Sequence, residues 1–150
     1  MVDLSDSERR LAGLLVDGHS LESVAEQLGI APRTVDLHRR QLGRKLGAKS
    51  LRQLGYEFAV HEQAFGSREP MESLTSRSLA MAQLLIAGLS NKGIAAALSI
   101  SLRQVEYRLE DLREKTQSET AAQLGYRLAE HGIEANAEAP APPPGRETFW

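Results

Sequence analysis

The 150 residues carry 18 Lys and Arg against 20 Asp and Glu, so the net charge of -2 excludes a polycation that binds nucleic acid along its whole length. The absence of cysteine excludes disulfide scaffolds, Cys-ligated zinc and thiol catalysis. No stretch approaches the roughly 20 apolar residues of a membrane span, and the N-terminus lacks the pattern of a signal peptide, so a cytoplasmic protein is expected.

Helix caps and hydrophobic spacing predict two helices at the start of the chain. Ser5 and Glu8 form a capping-box pattern, in which a hydroxyl and a carboxylate each accept a free backbone N–H. The helix that follows is expected to stop at Gly18. Ser20 is expected to cap a short second helix, which Gly29 ends in the left-handed conformation that glycine adopts readily.

Two further helices are predicted after this pair. Pro32 suits the first turn of a third helix, which extends to about Leu46 and stops at Gly47. Ser50 and Gln53 form a second capping-box pattern and begin a fourth helix. Its apolar stripe is expected to comprise Leu51, Leu54, Phe58 and Phe65.

The sequence repeats itself with a shift of 70 residues and no gap. The clearest segment is Gln53-Leu54-Gly55-Tyr56, which recurs as Gln123-Leu124-Gly125-Tyr126. We therefore predict an all-α fold of two tandem four-helix domains, residues 1–65 and 72–134, followed by a flexible Pro-rich tail over 135–150. Capping-box patterns begin helices of the second copy at Ser101–Gln104 and Thr120–Gln123.

A short helix, a tight turn and a longer helix form a helix-turn-helix in the first copy. The third helix contains Thr34-Val35-x-x-His38 and ends in Lys45-Leu46-Gly47. In this order the features resemble the LuxR-type, or GerE-type, family of bacterial DNA-binding domains. The resemblance implies that the third helix reads the major groove. The second copy resembles the family less closely, through Gly88-Leu89-Ser90 and Val105.

Charge distinguishes the two copies. The window from Arg33 to Lys49 holds six basic residues and one acid, a net charge of +5. The matching window from Arg103 to Glu119 holds four basic residues and five acids, a net charge of -1. Lys and Arg supply most of the non-specific affinity for DNA through phosphate contacts. The first copy is therefore predicted to bind double-stranded DNA, and the second to serve dimerisation or partner binding.

Three positions of the third helix are base-contacting by the resemblance. Arg40 matches the two acceptors of guanine, and Leu37 suits a thymine methyl group. Asp36 either accepts from cytosine or pairs with Arg39 or Arg40 on its own helix, and we favour the ion pair. The predicted DNA-binding set is Ser20, Arg33, Thr34, Asp36, Leu37, Arg39, Arg40, Arg44 and Lys45.

The second copy differs at the same positions and at its turns. It carries Glu106, Tyr107 and Glu110 at the three base-contacting positions. Ser99 and Gln117 replace the glycines that end the second and third helices of the first copy. If the backbone there stays left-handed, each replacement costs roughly 1 kcal/mol.

The fourth helices are candidate association surfaces. Gly55-x-x-x-Ala59 and Gly125-x-x-x-Ala129 would let another helix approach closely, although packing on each domain's own core explains part of the apolar stripe. The resemblance adds that this helix is the usual dimer contact. We expect a homodimer or an intramolecular pseudo-dimer. The predicted contact residues are Leu51, Leu54, Phe58, Leu124 and Leu128.

Two functions compete. The first is a transcription regulator that binds a specific DNA site through the third helix. The second is an adaptor or antagonist that binds another regulator or RNA polymerase through a surface derived from a helix-turn-helix. The tail, with Phe149 and Trp150, is a further candidate partner contact. No catalytic motif, metal site or cofactor site is present in the sequence, so an enzyme is not expected.

Overall fold

The computed structural model describes residues 2–71 and 74–135. Within these residues the chain forms eight helices and no strand, which confirms the predicted all-α tandem fold. The predicted tail lies outside the described residues apart from Ala135. The helices are α1 (Asp6–Val16), α2 (Leu21–Leu28), α3 (Pro32–Leu46), α4 (Leu51–His61), α5 (Ser76–Ile86), α6 (Asn91–Leu98), α7 (Leu102–Thr116) and α8 (Ala121–Glu130).

Side-chain caps begin most of the helices. The complete capping box forms at Ser5 and Glu8, and again at Ser101 and Gln104, as the sequence predicts. Helix α3 begins differently, with Pro32 in its first turn and no side-chain cap. Proline suits that position because the first N–H groups of a helix have no partner within the helix.

The capping boxes predicted at Ser50 and Thr120 are only half formed. Both hydroxyls accept the expected N–H, but Gln53 Oε1 accepts from Lys49 N at 2.6 Å rather than from Ser50. Gln123 accepts in the same way from the residue before Thr120. The backbone φ of -144° at Ser50, against -68° at Ser5, turns the N–H of the cap residue away from the glutamine.

The second copy keeps the backbone of the first where it lacks glycine. Ser99 ends α6 with φ of 55°, and Gly29 ends α2 with φ of 67°. Gln117 ends α7 with φ of 56°, and Gly47 ends α3 with φ of 73°. Both non-glycine residues therefore adopt the left-handed conformation, at a cost of roughly 1 kcal/mol each.

The hydrophobic cores of the two copies share residues. One core surrounds Val35 and Leu42, and it includes Ala122 of α8. The other is formed mainly by the second copy, and it includes Tyr56 and Ala59 of α4. The fourth helix of each copy therefore completes the core of the other copy.

The contacts between helices likewise connect the fourth helix of each copy to the other copy. Helices α4 and α8 form the most extensive helix pair, α4 also contacts α5, and α8 contacts α1. Helix α3 packs against α1, α2 and α4 and against no other described helix. Helix α4 ends at His61, so Phe65, predicted as part of its stripe, lies beyond the helix and is 39% exposed.

Candidate nucleic-acid interface

One face of α3 carries exposed basic side chains around a leucine. Residues spaced by four, three and four along a helix lie on the same face. On α3 this spacing joins Arg33, Leu37, Arg40 and Arg44, all of which are exposed. Leu37 is 53% exposed and the side chain of Arg40 52% exposed. This face, which we call the basic stripe, has three cations and one apolar side chain that can contact a groove.

Arg39 does not lie on this exposed face, in contrast to its predicted role. It is only 6% exposed and occupies the inward face of α3, between the buried side chains Val35 and Leu42. The spacing carries this signal, because Arg39 is four residues after Val35 and three before Leu42. The net charge counted from Arg33 to Lys49 does not distinguish cations that point inward from those that point outward.

Asp36 forms ion pairs on its own helix, which is the favoured alternative to a contact with cytosine. Its carboxylate accepts from the guanidinium of Arg39, and its Oδ2 lies 3.3 Å from Nε of Arg40. The carboxylate is therefore directed along its own helix. The two arginines neutralise its negative charge, and the ion pair with Arg40 restricts the position of the Arg40 side chain.

Lys45 is held by the first helix. Its Nζ donates to Glu8 Oε1 at 2.9 Å, with the Lys45 side chain 41% exposed. The Ser5 backbone N–H and the Lys45 ammonium lower the pKa of Glu8 to about 2. Exposed ion pairs contribute little net stability, so a phosphate can compete with Glu8 for this lysine.

The remaining predicted contacts lie at helix starts. Ser20 is the cap residue of α2, where its Oγ accepts from Ser23 N at 3.2 Å, and the residue is exposed. Thr34 is half-buried in the first turn of α3. Both lie at helix N-termini, whose partial positive charge favours an anion such as phosphate.

The equivalent face of α7 has the opposite character. Arg103, Tyr107, Glu110 and Glu114 occupy the positions of the basic stripe, and all four are exposed. Tyr107 is 79% exposed. Glu106 stands where Asp36 stands, but the positions of the two pairing arginines hold Leu109 and Glu110. Glu106 therefore lacks the two arginines that pair with Asp36 on α3.

The predicted contact residues of the fourth helices divide between the two cores. Leu54 and Phe58 are buried in the core of the first copy, against which half-buried Leu51 packs. Leu124 and Leu128 are buried in the other core. The ring of Phe58 lies 6.2 Å from that of Tyr126, which is a direct contact between copies.

Arg52 connects the copies and was not among the predicted site residues. Its Nη1 donates to Asn91 Oδ1 at 2.7 Å and its Nη2 to the Leu89 carbonyl at 3.1 Å. Burial, together with the charge of Arg113, lowers the pKa of Arg52 to about 10. The repeat places Ala122 at the equivalent position, so only the first copy has this arginine.

Comparison with known proteins adds three findings. The profile of the family "Bacterial regulatory proteins, luxR family" matches residues 2–56 and again residues 72–124. The transcriptional regulatory protein MctR of Rhizobium johnstonii is 46% identical over 44 residues, which cover 29% of this chain and 21% of that protein. The match thus spans about a fifth of the curated relative's length. No solved structure matches the chain.

None of the helices in residues 2–71 and 74–135 combines the length and the apolar character needed to cross a bilayer. The longest, α3 and α7, have 15 residues each and carry many charges.

Proposed function

Because the chain belongs to the luxR family of bacterial regulatory proteins, we propose that it is a transcription regulator that binds a specific duplex DNA site through α3. This role requires no catalysis and no cofactor, and it places the protein in the cytoplasm with the DNA. The first copy, residues 1–65, reads the site. The second copy, residues 72–134, serves association or partner binding.

The basic stripe is the observation that carries the proposal. Its four side chains face outward, and α3 packs only against α1, α2 and α4 among the described helices. The second copy therefore does not cover it. Cations concentrated on one accessible helix face release counterions from DNA, which explains how a chain with net charge -2 can bind a polyanion.

The side chains of the stripe have different proposed roles. Arg40 reads guanine with its planar fork, and Asp36 positions it through the ion pair along the helix. Leu37 contacts a thymine methyl group. Arg33 and Arg44, at the two ends of the stripe, contact phosphates and fix the register of the helix in the groove.

The test measures DNA affinity across a salt series for the full chain. Selected duplex sites should be bound with a strong salt dependence. Arg44→Ala should reduce the salt slope by about one unit on every sequence, because one phosphate contact is lost. Arg40→Ala should instead reduce the affinity difference between the selected site and random duplex, at a cost of about 1–3 kcal/mol.

The matched control is Arg77→Ala, which removes an exposed arginine from α5, outside the proposed interface. Affinity and salt slope should then stay at their wild-type values. Equal losses in Arg77→Ala and Arg44→Ala would show that only overall charge matters. Undetectable or salt-insensitive binding by the wild type would refute the proposed function.

A second candidate function rests on the exposed face of α7. Tyr107 is the most exposed large aromatic side chain of the described residues, and Glu106 and Glu110 lie beside it. We propose as the alternative that this face binds another regulator or RNA polymerase, so that the chain is an adaptor or antagonist. Recovery of a stoichiometric protein partner with no enriched DNA would favour this alternative, and its loss in Tyr107→Ala would place the contact on α7.

A further inference from the structure

Helices α4 and α8 approach so closely that their backbones touch at two glycines. A Cβ atom at Gly55 would overlap the carbonyl oxygen of Ala122, and one at Gly125 would overlap that of Arg52. These two contacts are related by the 70-residue shift of the repeat, since Arg52 and Ala122 are equivalent positions. The crossing is therefore reciprocal: each helix presents the same positions to the other.

Two further contacts obey the same reciprocity. The Gln53 side chain lies against Gly88, where a Cβ would be 2.7 Å from its Oε1. The Gln123 side chain lies against Gly18, where a Cβ would be 3.0 Å from its Oε1. Glutamine of one fourth helix thus packs on the turn that follows the other copy's first helix. Contacts that exchange partners in this way define an approximate two-fold axis.

The axis has two consequences for DNA binding. First, the α4 face around Gly55 is covered by α8, so this surface is not available to a second chain. Second, the axis relates α3 to α7. If a duplex aligns its own dyad with this axis, the duplex meets α3 in one half-site and α7 in the other, with centres about 10 base pairs apart.

The two helices would treat their half-sites differently. The basic stripe of α3 presents three cations, whereas the equivalent positions of α7 present Arg103 with two glutamates and a tyrosine. Carboxylates close to phosphates oppose binding instead of promoting it. In a pseudo-symmetric molecule of this kind, α3 would read the bases of its half-site, and α7 would make little contact with bases or phosphates.

Resting on the proposed DNA-binding function, we infer that one chain alone spans two half-sites, with base sequence selected only in the half-site that α3 contacts. The partner is a duplex with one specific half-site and no inverted repeat. Helix α7 lies over the second half-site without reading it. The internal α4–α8 pair takes the place of a dimer contact between chains.

The first experiment combines selection from random duplexes with the mass of the complex. The full chain is expected to enrich one asymmetric motif and to form a complex of one chain per duplex of about 30 base pairs. An inverted repeat bound by two chains would overturn the inference while leaving the proposed function intact. Failure to enrich any DNA would overturn both.

The second experiment tests where α7 lies. Glu106→Lys combined with Glu110→Lys replaces two exposed carboxylates with cations. On the long duplex this variant should bind more tightly than wild type, with a salt slope steeper by up to about two units. On a duplex cut back by about 10 base pairs, so that only the α3 half-site remains, the gain should disappear.

The control variant has the same change in charge, placed near the C-terminal end of α8. Glu69 and Glu134 are exposed there, and the Glu69 carbonyl contacts His131 Nδ1 at 2.7 Å. Glu69→Lys combined with Glu134→Lys should leave the difference between the two duplexes unchanged. No gain for the α7 variant, or an equal gain on both duplexes, would show that α7 does not lie over the DNA.

Discussion

Single residues determine the different charges on the exposed faces of α3 and α7. Asp36 and Glu106 occupy equivalent positions, but only Asp36 has arginines three and four residues later. Both arginines pair with it, so the acid on α3 is neutralised locally. The local sequence makes this pairing predictable. The inward direction of Arg39 is less evident, because a buried arginine is uncommon and its charge suggests the surface.

Glu8 gives the fold a predictable acid sensitivity. Its pKa of about 2 in the folded protein lies below the ordinary value of 4.5, so its ionised form stabilises the fold above pH 4.5. That contribution is lost as the pH falls from 4.5 through 2. Urea unfolding at successive pH values should therefore show a steeper loss of stability in this window for wild type than for Glu8→Gln. Identical pH profiles would contradict the role of the carboxylate.

Replacing the two left-handed residues of the second copy with glycine should stabilise the fold. Ser99→Gly and Gln117→Gly remove a side chain from positive φ, and each should raise the free energy of unfolding by up to about 1 kcal/mol. The matched controls reverse the change in the first copy, through Gly29→Ser and Gly47→Gln. Nothing lies within 4 Å of a Cβ at either glycine, so those losses report backbone conformation alone. Thermal unfolding measures all four, and losses in the first pair would contradict this account.

At the scale of elements, most helix boundaries follow from caps and glycines. Sequence patterns predict the third helix from Pro32 to about Leu46, and the structure has the same bounds for α3. The fourth helices are the exception. Gln53 and Gln123 match a capping box, yet their side chains reach one residue further back and pack against the other copy. A local pattern cannot register a contact with a segment about 35 to 105 residues distant.

The α4–α8 crossing is the element most sensitive to added volume. Gly55→Ala or Gly125→Ala would force a methyl group into a backbone carbonyl, and either should lower the free energy of unfolding by at least about 1–3 kcal/mol. Gly13→Ala is the control, because a Cβ in α1 has nothing within 4 Å and alanine favours a helix. Chemical denaturation should show a lower free energy of unfolding for the variants at Gly55 and Gly125 than for Gly13→Ala. Equal tolerance at Gly55 and Gly13 would contradict the close approach.

The two copies pack together more closely than the sequence repeat alone suggests. The sequence predicts two domains and leaves open whether the fourth helices pair within the chain or between chains. In the structure Tyr56 and Ala59 enter one core and Ala122 enters the other, so the pairing is internal. The repeat could not supply this result, because symmetric sequences are equally compatible with both arrangements. The repeat and the four helices of each copy were the predictable part.

The proposed reading function also depends on the whole molecule, since the second copy leaves the basic stripe uncovered. Sequencing of duplexes selected from a random pool, by wild type and by Arg40→Ala in parallel, tests it most directly. Wild type should enrich a defined motif, and Arg40→Ala should lose preference at one guanine within it while keeping the flanking positions. Enrichment of no motif by wild type, or the same motif from both proteins, would contradict the assignment of α3 as the reading helix.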